Sequence, residues 1–336
     1  MSFHLNIKPN THTPKTAYRN SFYLPHLLIY QISGQFKKSY HKSIGISCYY
    51  NLSTTHVDPS VFPHEKVDEY HVSELVQAMT YKPIKSPCFL VTQSKHFPFQ
   101  YLSTWFEQYP PTYSASINGL THSFIKVNNI QYARQLMLCL NTIEHFMIAD
   151  GHHRLAAQKR LLHHQGLSLP LPVFITHTTQ AKVESFDLIA RINKNFCWLA
   201  FHQHLKKSGI TSCPYSQGDY HILFNDLQTS FKINDQGNSR HHDNSCLRYA
   251  HILNVMERFN GFETIMSENL IEADSQISSL YKKSTYQTSR LQVKIKTPSV
   301  SSMYNAALKG TLLPKKSTCF LFKPAEQMTP FLTKER

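Results

Sequence analysis

The sequence predicts an α+β protein with a mixed sheet and packed helices. Short apolar, aromatic-rich runs alternate with segments of helical spacing along the first half of the chain. A content of 41% hydrophobic and 12% aromatic residues is too apolar for a disordered chain, and 336 residues are enough to bury a sizeable core. We find no internal repeat and no clear linker, and therefore predict one mixed body.

The first predicted elements are strands and one helix. Residues 23–30 and 44–52 are apolar and aromatic-rich and are separated by Gly34 and a Lys-Ser stretch, which indicates strand, turn, strand. Residues 67–79 carry apolar side chains at nearly helical spacing. Residues 87–92 (PCFLVT) are typical of a buried strand.

The pattern of alternating strands and helices continues into the middle of the chain. The elements predicted there are a helix over 130–140, a buried strand over 146–149, a helix that follows Gly151 and runs to about 164, a strand over 170–176, and polar loops over 209–218 and 234–245.

The charge is strongly basic, with a formal net charge of +14 and 21 histidines. Residues 281–336 hold eleven Lys and Arg against two Glu. This excess fits either a surface that neutralises nucleic-acid phosphates or a solvated basic face. No zinc-finger spacing, RNA-binding aromatic motif or basic helix with heptads accompanies the charge.

The termini and the cysteines predict a cytoplasmic protein without a membrane segment. The opening residues MSFHLNIKPN lack the apolar stretch of a signal peptide, and no window approaches the length of a membrane span. The seven cysteines are scattered and never form a C-x-x-C pair, which favours reduced thiols. We therefore expect no zinc, haem or iron-sulfur cluster.

The segment HFMIADGHHRLAAQKRLLHH, residues 145–164, predicts a buried strand, a tight turn and a helix. Exposed N–H groups at a helix N-terminus favour an anion, and Gly151 lets the backbone approach a phosphate closely. Arg154 is placed to contact phosphate oxygens, and Asp150 to orient a hydroxyl, take its proton or hold Mg²⁺. The alternative is that Asp150 is an ordinary N-cap and Arg154 a surface ion-pair partner.

Several separated motifs resemble the family known as domain of unknown function 1015. Residues 148–154 (IADGHHR) resemble its D-G-H-H-R signature, and residues 62–67 (FPHEKV) and 86–90 (SPCFL) its H-E segment and the strand that follows. Residues 313–320 (LPKKSTCF) resemble its C-terminal ending. The likeness extends, with gaps, from about residue 22 to residue 325.

The resemblance implies a core similar to the ParB/sulfiredoxin-like superfamily, built around the strand-DGHHR-helix phosphate site. Compared with the ParB phosphate motif, the chain keeps Gly151, Arg154 and Ala157. His152 stands where sulfiredoxin has its reactive cysteine, so sulfinic-acid reduction is not implied. A third branch of the superfamily contains free-serine kinases.

Within a single module over 1–336, we predict a core over 22–205 and a C-terminal part over 206–336.

Carried onto this chain, the resemblance implies a nucleotide- or phosphate-binding protein and a phosphotransferase for a small hydroxylated metabolite such as an amino acid. The implied cofactor is ATP or ADP with Mg²⁺. The implied catalytic residues are Asp150 and Glu65, and the implied substrate contact is His64. The phosphate contacts would be Gly151, His152, His153 and Arg154, with Lys316, Ser317 and Thr318 as a second set.

Two departures from the family pattern keep other functions open. The N-terminal segment is shortened and has Asn10 where an acidic residue is expected, and an F-N-R element appears as Phe186-Asp187-Leu188, without its arginine. One alternative is a non-catalytic module that binds nucleic acid or a protein partner. Another is an inactive, degenerate member of the family.

Overall fold

The chain contains two large sheets, a two-stranded ribbon and helices packed on them, as seen in a computed structural model. The structure describes residues 22–36, 39–52, 60–81, 86–166, 169–224, 227–233, 247–268, 290–315 and 317–326. The strands are β1 (Phe22–Phe36), β2 (Ser39–Tyr50), β3 (Ser60–Pro63), β4 (Cys88–Thr92), β5 (Tyr113–Ile117), β6 (Leu120–Lys126), β7 (His145–Asp150), β8 (Leu171–His177), β9 (Lys182–Ser185), β10 (Asp187–Ile192), β11 (Ile210–Ser212), β12 (Tyr220–Phe224), β13 (Leu227–Ile233), β14 (Phe262–Glu268), β15 (Arg290–Ile295) and β16 (Thr318–Leu321). The α-helices are α1 (Glu69–Tyr81), α2 (Phe99–Gln108), α3 (Ile130–Asn141), α4 (His152–Gln165), α5 (Trp198–Lys207), α6 (Arg248–Glu257) and α7 (Val300–Leu308).

The first sheet has eight strands in the order β3-β7-β4-β8-β2-β1-β6-β5. β3 runs parallel to β7 and β4 parallel to β8, whereas the other neighbours are antiparallel, so the sheet is mixed. The burial patterns of β4 and β8 are almost continuous, as expected for strands with both faces covered.

Each face of the first sheet carries its own apolar cluster. On one face, Leu102 of α2 and Leu136 of α3 pack against Ile46 and Phe146. The second cluster includes Phe89 and Phe174 from the sheet. It also includes residues of α7 and of the segment that follows α7, called the C-terminal segment below; these residues are Val300, Met303, Tyr304, Ala307, Leu313, Phe320 and Phe322. The C-terminal segment is therefore part of the core of the first sheet.

Helices α1 and α4 pack on each other through a smaller apolar cluster. Val72 and Met79 of α1 and Ala157 and Leu161 of α4 are all buried there. The contact fixes the orientation of α4, whose first residue directly follows the turn at Gly151.

The second sheet has six antiparallel strands in the order β11-β13-β12-β15-β10-β14. Its apolar face is covered by α5 and α6 through Phe201, Leu205, Ile252 and Met256. A two-stranded ribbon, β9 with β16, joins the C-terminal segment to the chain just before β10. The predicted α+β class with a mixed sheet and packed helices is confirmed.

The predicted elements around the site are confirmed, with shifted ends. The helix expected over 67–79 is α1, which begins at Glu69, and β1 continues through Gly34 to Phe36 instead of turning there. The prediction of a loop over 209–218 is wrong in part. Ile210 belongs to β11, where it is buried and pairs with Ile233 of β13. The loop predicted over 234–245 lies outside the described residues.

Candidate functional site

The turn between β7 and α4 is built on Gly151. Its φ is 91° and its ψ 22°, a left-handed conformation that L side chains rarely adopt. A Cβ at this position would lie 2.7 Å from both the Arg154 Nη2 and the Cys88 Sγ atoms. The N-cap of α4 is Gly151 itself, without a side-chain cap, so the alternative that Asp150 is the N-cap is wrong. Asp150 is the last residue of β7.

Arg154 is held rigidly on the first turn of α4. Its Nη1 donates hydrogen bonds to the carbonyl oxygens of Ser86 and Pro87, at 2.5 and 3.0 Å. Its Nη2 lies 3.4 Å from the Asp150 Oδ2 atom. Two backbone carbonyls that precede β4 thus fix the guanidinium, and the Asp150 carboxylate lies beside the other amino group.

An open cleft of about 460 Å³ lies beside this turn. The Asp150 carboxylate, 39% exposed, lies 3.8 Å from the Lys323 Nζ atom, which approaches from the C-terminal segment. The other lining residues are Ser86, Pro87, Ile117, Asn118, Leu120, His122, Arg154, Cys319, Phe320, Leu321, Phe322, Pro324, Ala325 and Glu326. The cleft therefore combines an apolar wall with two cations and two carboxylates, Asp150 and Glu326.

An enclosed polar cluster lies at the start of α4, formed by His64, Glu65 and His152. The Nε2 atom of His152 is 3.2 Å from the Glu65 Oε1 atom, without good hydrogen-bond alignment. His64 Nδ1 donates to the carbonyl of Ile148 at 2.6 Å, and His64 Nε2 accepts from the Thr318 hydroxyl at 3.2 Å. Glu65 is 7% exposed and does not line the cleft.

The imidazoles at this site are held neutral. Burial lowers the pKa of His64 to about 4, against smaller opposing effects of the Ile148 carbonyl and Asp150. Burial, together with the neighbouring His153 and His64, lowers the pKa of His152 to about 3. Burial also lowers the pKa of His153, whose Nε2 accepts a hydrogen bond from the backbone N–H of Asp68 at 2.9 Å. At pH 7 the cationic groups beside Asp150 are therefore Arg154 and Lys323 rather than the histidines.

The C-terminal segment docks onto the H-E segment through its backbone. Leu313 N–H donates to the His64 carbonyl at 2.9 Å, and Lys66 N–H donates to the Leu313 carbonyl at 3.1 Å. Lys315 Nζ lies 3.0 Å from the Asp68 Oδ2 atom, which completes the contact. Three motifs that are distant in sequence, at residues 62–67, 148–154 and 313–320, thus meet in space.

The structure brings most of the predicted site residues together. Asp150 and Arg154 line the cleft, and His152 and His153 begin α4 beside it. His64 and Glu65 belong to the enclosed polar cluster, and Thr318 forms a hydrogen bond with His64. Ser317 is fully buried, and its Oγ has no hydrogen-bond partner among the described residues. Lys316 and Asn10 lie outside the described residues.

Sequence reasoning missed Lys323, His122 and the carbonyls of Ser86 and Pro87. Lys323 is one of eleven cations in the basic C-terminal region, and nothing in the sequence distinguishes it from the others. His122 lies in β6, and the sequence of that strand, LTHSFIK, does not mark the histidine as a site residue. Leu188, where the family's arginine is missing, is buried in the core of the second sheet.

Among the described residues, no group of three or more His, Cys, Asp or Glu side chains is arranged to hold a metal ion. Within the same residues, no helix has both the length and the apolar character needed to cross a membrane.

Residues 22–169 match the family described as "Protein of unknown function (DUF1015)". The resemblance inferred from the motifs is confirmed over this range. A search of curated proteins finds no match.

Three solved structures are similar to this chain. SbnI from Staphylococcus aureus, with a C-terminal truncation, aligns at 12% identity and a TM-score of 0.46, covering 81% of this chain and 82% of that one. A mutant free serine kinase in complex with ADP aligns at 12% identity and a TM-score of 0.43, covering 81% and 87%. A conserved hypothetical protein from Pyrococcus furiosus aligns at 13% identity and a TM-score of 0.39, covering 81% and 90%.

Proposed function

We propose that this chain, whose residues 22–169 match the family of unknown function DUF1015, binds a nucleotide and transfers a phosphoryl group to a small hydroxylated metabolite such as an amino acid. The observation that carries the proposal is the left-handed Gly151 turn, which joins the Asp150 carboxylate to the Arg154 helix start beside an open cleft.

The turn supplies the backbone for a phosphate. The first N–H groups of α4 have no partner within the helix, and the helix dipole adds positive potential at that end. Because Gly151 lacks a Cβ, the backbone and the Arg154 guanidinium pack closely, with Cys88 behind them. Phosphate oxygens approaching the turn would meet backbone N–H groups and a fixed guanidinium together.

The charges beside the cleft suit phosphoryl transfer. Arg154 and Lys323 both approach the Asp150 carboxylate, at 3.4 and 3.8 Å, so a phosphate would enter a site whose cations are already in place. Asp150 would take the proton of the attacking hydroxyl, since phosphoryl transfer depends mainly on positioning and charge stabilisation. Glu65, enclosed beside His152, would hold the start of α4 instead of contacting substrate.

The residues present also fit a magnesium ion that arrives with the nucleotide. Asp150 is a half-exposed carboxylate at the cleft and would be its ligand from the protein, because Mg²⁺ bound to nucleotides uses one or two carboxylates together with phosphate oxygens. When bound, the ion would neutralise negative charge on the phosphates.

The proposal is tested by binding and by turnover. We expect ATP, ADP or CTP with Mg²⁺ to raise the melting temperature, and phosphorus NMR to show a new phosphoester when a panel of amino acids including serine is added. Arg154→Lys keeps the charge but loses the planar fork, and should reduce the ligand-induced shift markedly. Lys207→Ala, an exposed lysine at the end of α5, is the matched surface control. An unchanged shift in the Arg154 variant would refute the site.

A further inference from the structure

Tyr30 and His122 form a buried pair beside the cleft. Neither residue has a role in the proposed phosphoryl transfer. The Tyr30 Oη and His122 Nδ1 atoms are 2.8 Å apart, and each residue is only 2% exposed. The residues lie on the adjacent strands β1 and β6. The orientation of the His122 ring is therefore fixed by a buried hydrogen bond.

The direction of the hydrogen bond within the pair determines which nitrogen of His122 carries the proton. Burial lowers the pKa of His122 to about 4, so the ring is neutral at pH 7. Burial raises the pKa of Tyr30, and a backbone hydrogen bond from Ala325 lowers it. A hydrogen bond that lowers the pKa of a phenol is one donated to its oxygen, and the backbone donor of an alanine is its N–H. With Tyr30 as the donor and His122 Nδ1 as the acceptor of their hydrogen bond, the proton of the neutral ring lies on Nε2.

The nitrogen of His122 that Tyr30 does not contact is Nε2. His122 is one of the lining residues, and its Nδ1 is turned to Tyr30. Nε2 makes no hydrogen bond to a described residue. Nε2 is therefore the nitrogen of His122 that is left to meet a ligand in the cleft.

We propose that His122 is a neutral hydrogen-bond donor subsite of the cleft, oriented by Tyr30, which binds an anionic oxygen of the ligand. The inference rests on the proposed function for the identity of the ligand. His122 is on β6, five positions along the sheet from the β7 strand that carries Asp150. A ligand that spans the cleft would thus meet two cations near Asp150 and an uncharged donor from a distant strand.

The anionic oxygen has two sources, a phosphate of the nucleotide or the carboxylate of an amino-acid substrate. Calorimetry with inorganic phosphate and ADP as one arm, and serine and acetate as the other, separates them. His122→Leu removes the donor and should weaken one arm by about tenfold or more, since hydrogen bonds to charged groups are among the stronger ones. His122→Gln, which places an amide N–H near the Nε2 position, should restore most of that affinity.

A matched control is available in the second sheet. The His221 Nδ1 atom lies 2.8 Å from the Ser230 hydroxyl, so its ring is also bonded to a hydroxyl. His221→Leu should leave both arms unchanged. Long-range proton-nitrogen NMR supplies a readout that a structural role would not move: free protein should show His122 protonated at Nε2, Tyr30→Phe should mix the two tautomers, and the bound probe should shift the Nε2 resonance.

The outcomes separate the two proposals. If ADP binds in an Arg154-dependent way but His122→Leu changes neither arm, or if His122 is protonated at Nδ1, the subsite is refuted and the proposed function stands. If ADP does not bind but phosphate or serine shifts the Nε2 resonance, the proposed function is refuted and the subsite stands. If no probe binds, both are refuted.

Discussion

The Nε2 atom of His64 lies 3.2 Å from the hydroxyl oxygen of Thr318, a residue 254 positions further along the chain. Because His64 Nδ1 donates to the Ile148 carbonyl, one imidazole connects the strand that leads to the Gly151 turn with the C-terminal segment. The ring is buried and neutral, so its two nitrogens need one acceptor and one donor, and both are present.

Removing the donor should destabilise this junction. In Thr318→Val the buried His64 Nε2 loses its donor while the volume is retained. We expect the free energy of unfolding, measured by urea denaturation, to fall by about 1 kcal/mol. Thr318→Ser keeps the hydroxyl and should lose less, and Thr264→Val on exposed β14 is the distant control. Equal losses in the valine and serine variants would show that the hydroxyl does not support His64.

The two glycines that flank α4 form a matched pair for testing the turn. Both Gly151 and Gly166 have positive φ, but a Cβ at Gly166 meets nothing within 4 Å, whereas one at Gly151 meets Arg154 and Cys88. Gly166→Ala should cost only the backbone strain, roughly 1–2 kcal/mol of unfolding free energy. Gly151→Ala should cost at least about 1 kcal/mol more because the packed neighbours must move.

Ligand binding distinguishes the same two variants further. We expect thermal shifts with ADP to persist in Gly166→Ala and to be strongly reduced in Gly151→Ala. A Gly151→Ala variant that is no less stable than Gly166→Ala and binds ADP normally would contradict the role assigned to the turn.

The buried histidines predict a loss of stability in acid. In the fold the pKa of His64 is about 4 and that of His152 about 3, whereas an unfolded chain has histidine pKa values near 6.5. Below pH ~6.5 the unfolded state therefore binds more protons, and the free energy of unfolding falls as the pH drops toward 4. Each histidine contributes a slope of at most about 1.4 kcal/mol per pH unit.

Substitution isolates the histidine contribution from that of the carboxylates. Urea unfolding of His64→Gln at several values between pH 7.5 and 4.5 should give a flatter dependence than the original chain, whatever its absolute stability. His163→Gln, on the exposed end of α4, should leave the slope unchanged. If the His64 variant keeps the full slope, that ring is not the neutral group described above.

The local elements around the site could be predicted from the sequence, and the way they assemble could not. Periodicity and the Asp150-Gly151 pair predict β7, the turn and the start of α4, because each depends on neighbours within a few residues. The position of Lys323 depends on where the C-terminal segment crosses the first sheet, which is set by pairings such as β16 with β9. The burial of Glu65 likewise follows from its bridge to Leu313, a contact across 248 positions that no local pattern encodes.

Asp150→Asn should separate binding from turnover. Asp150 lies within 3.8 Å of the Lys323 amine and 3.4 Å of the Arg154 guanidinium, so removing its charge leaves two cations for an incoming phosphate. We expect ADP to bind as tightly as before or more tightly in calorimetry without added metal. Transfer measured by phosphorus NMR should fall by a factor of about 10²–10⁴, since an amide cannot accept the proton of the attacking hydroxyl. Glu263→Gln, an exposed carboxylate on β14, is the charge-matched control. Retained turnover in Asp150→Asn would assign proton acceptance to another group while leaving the phosphate site intact.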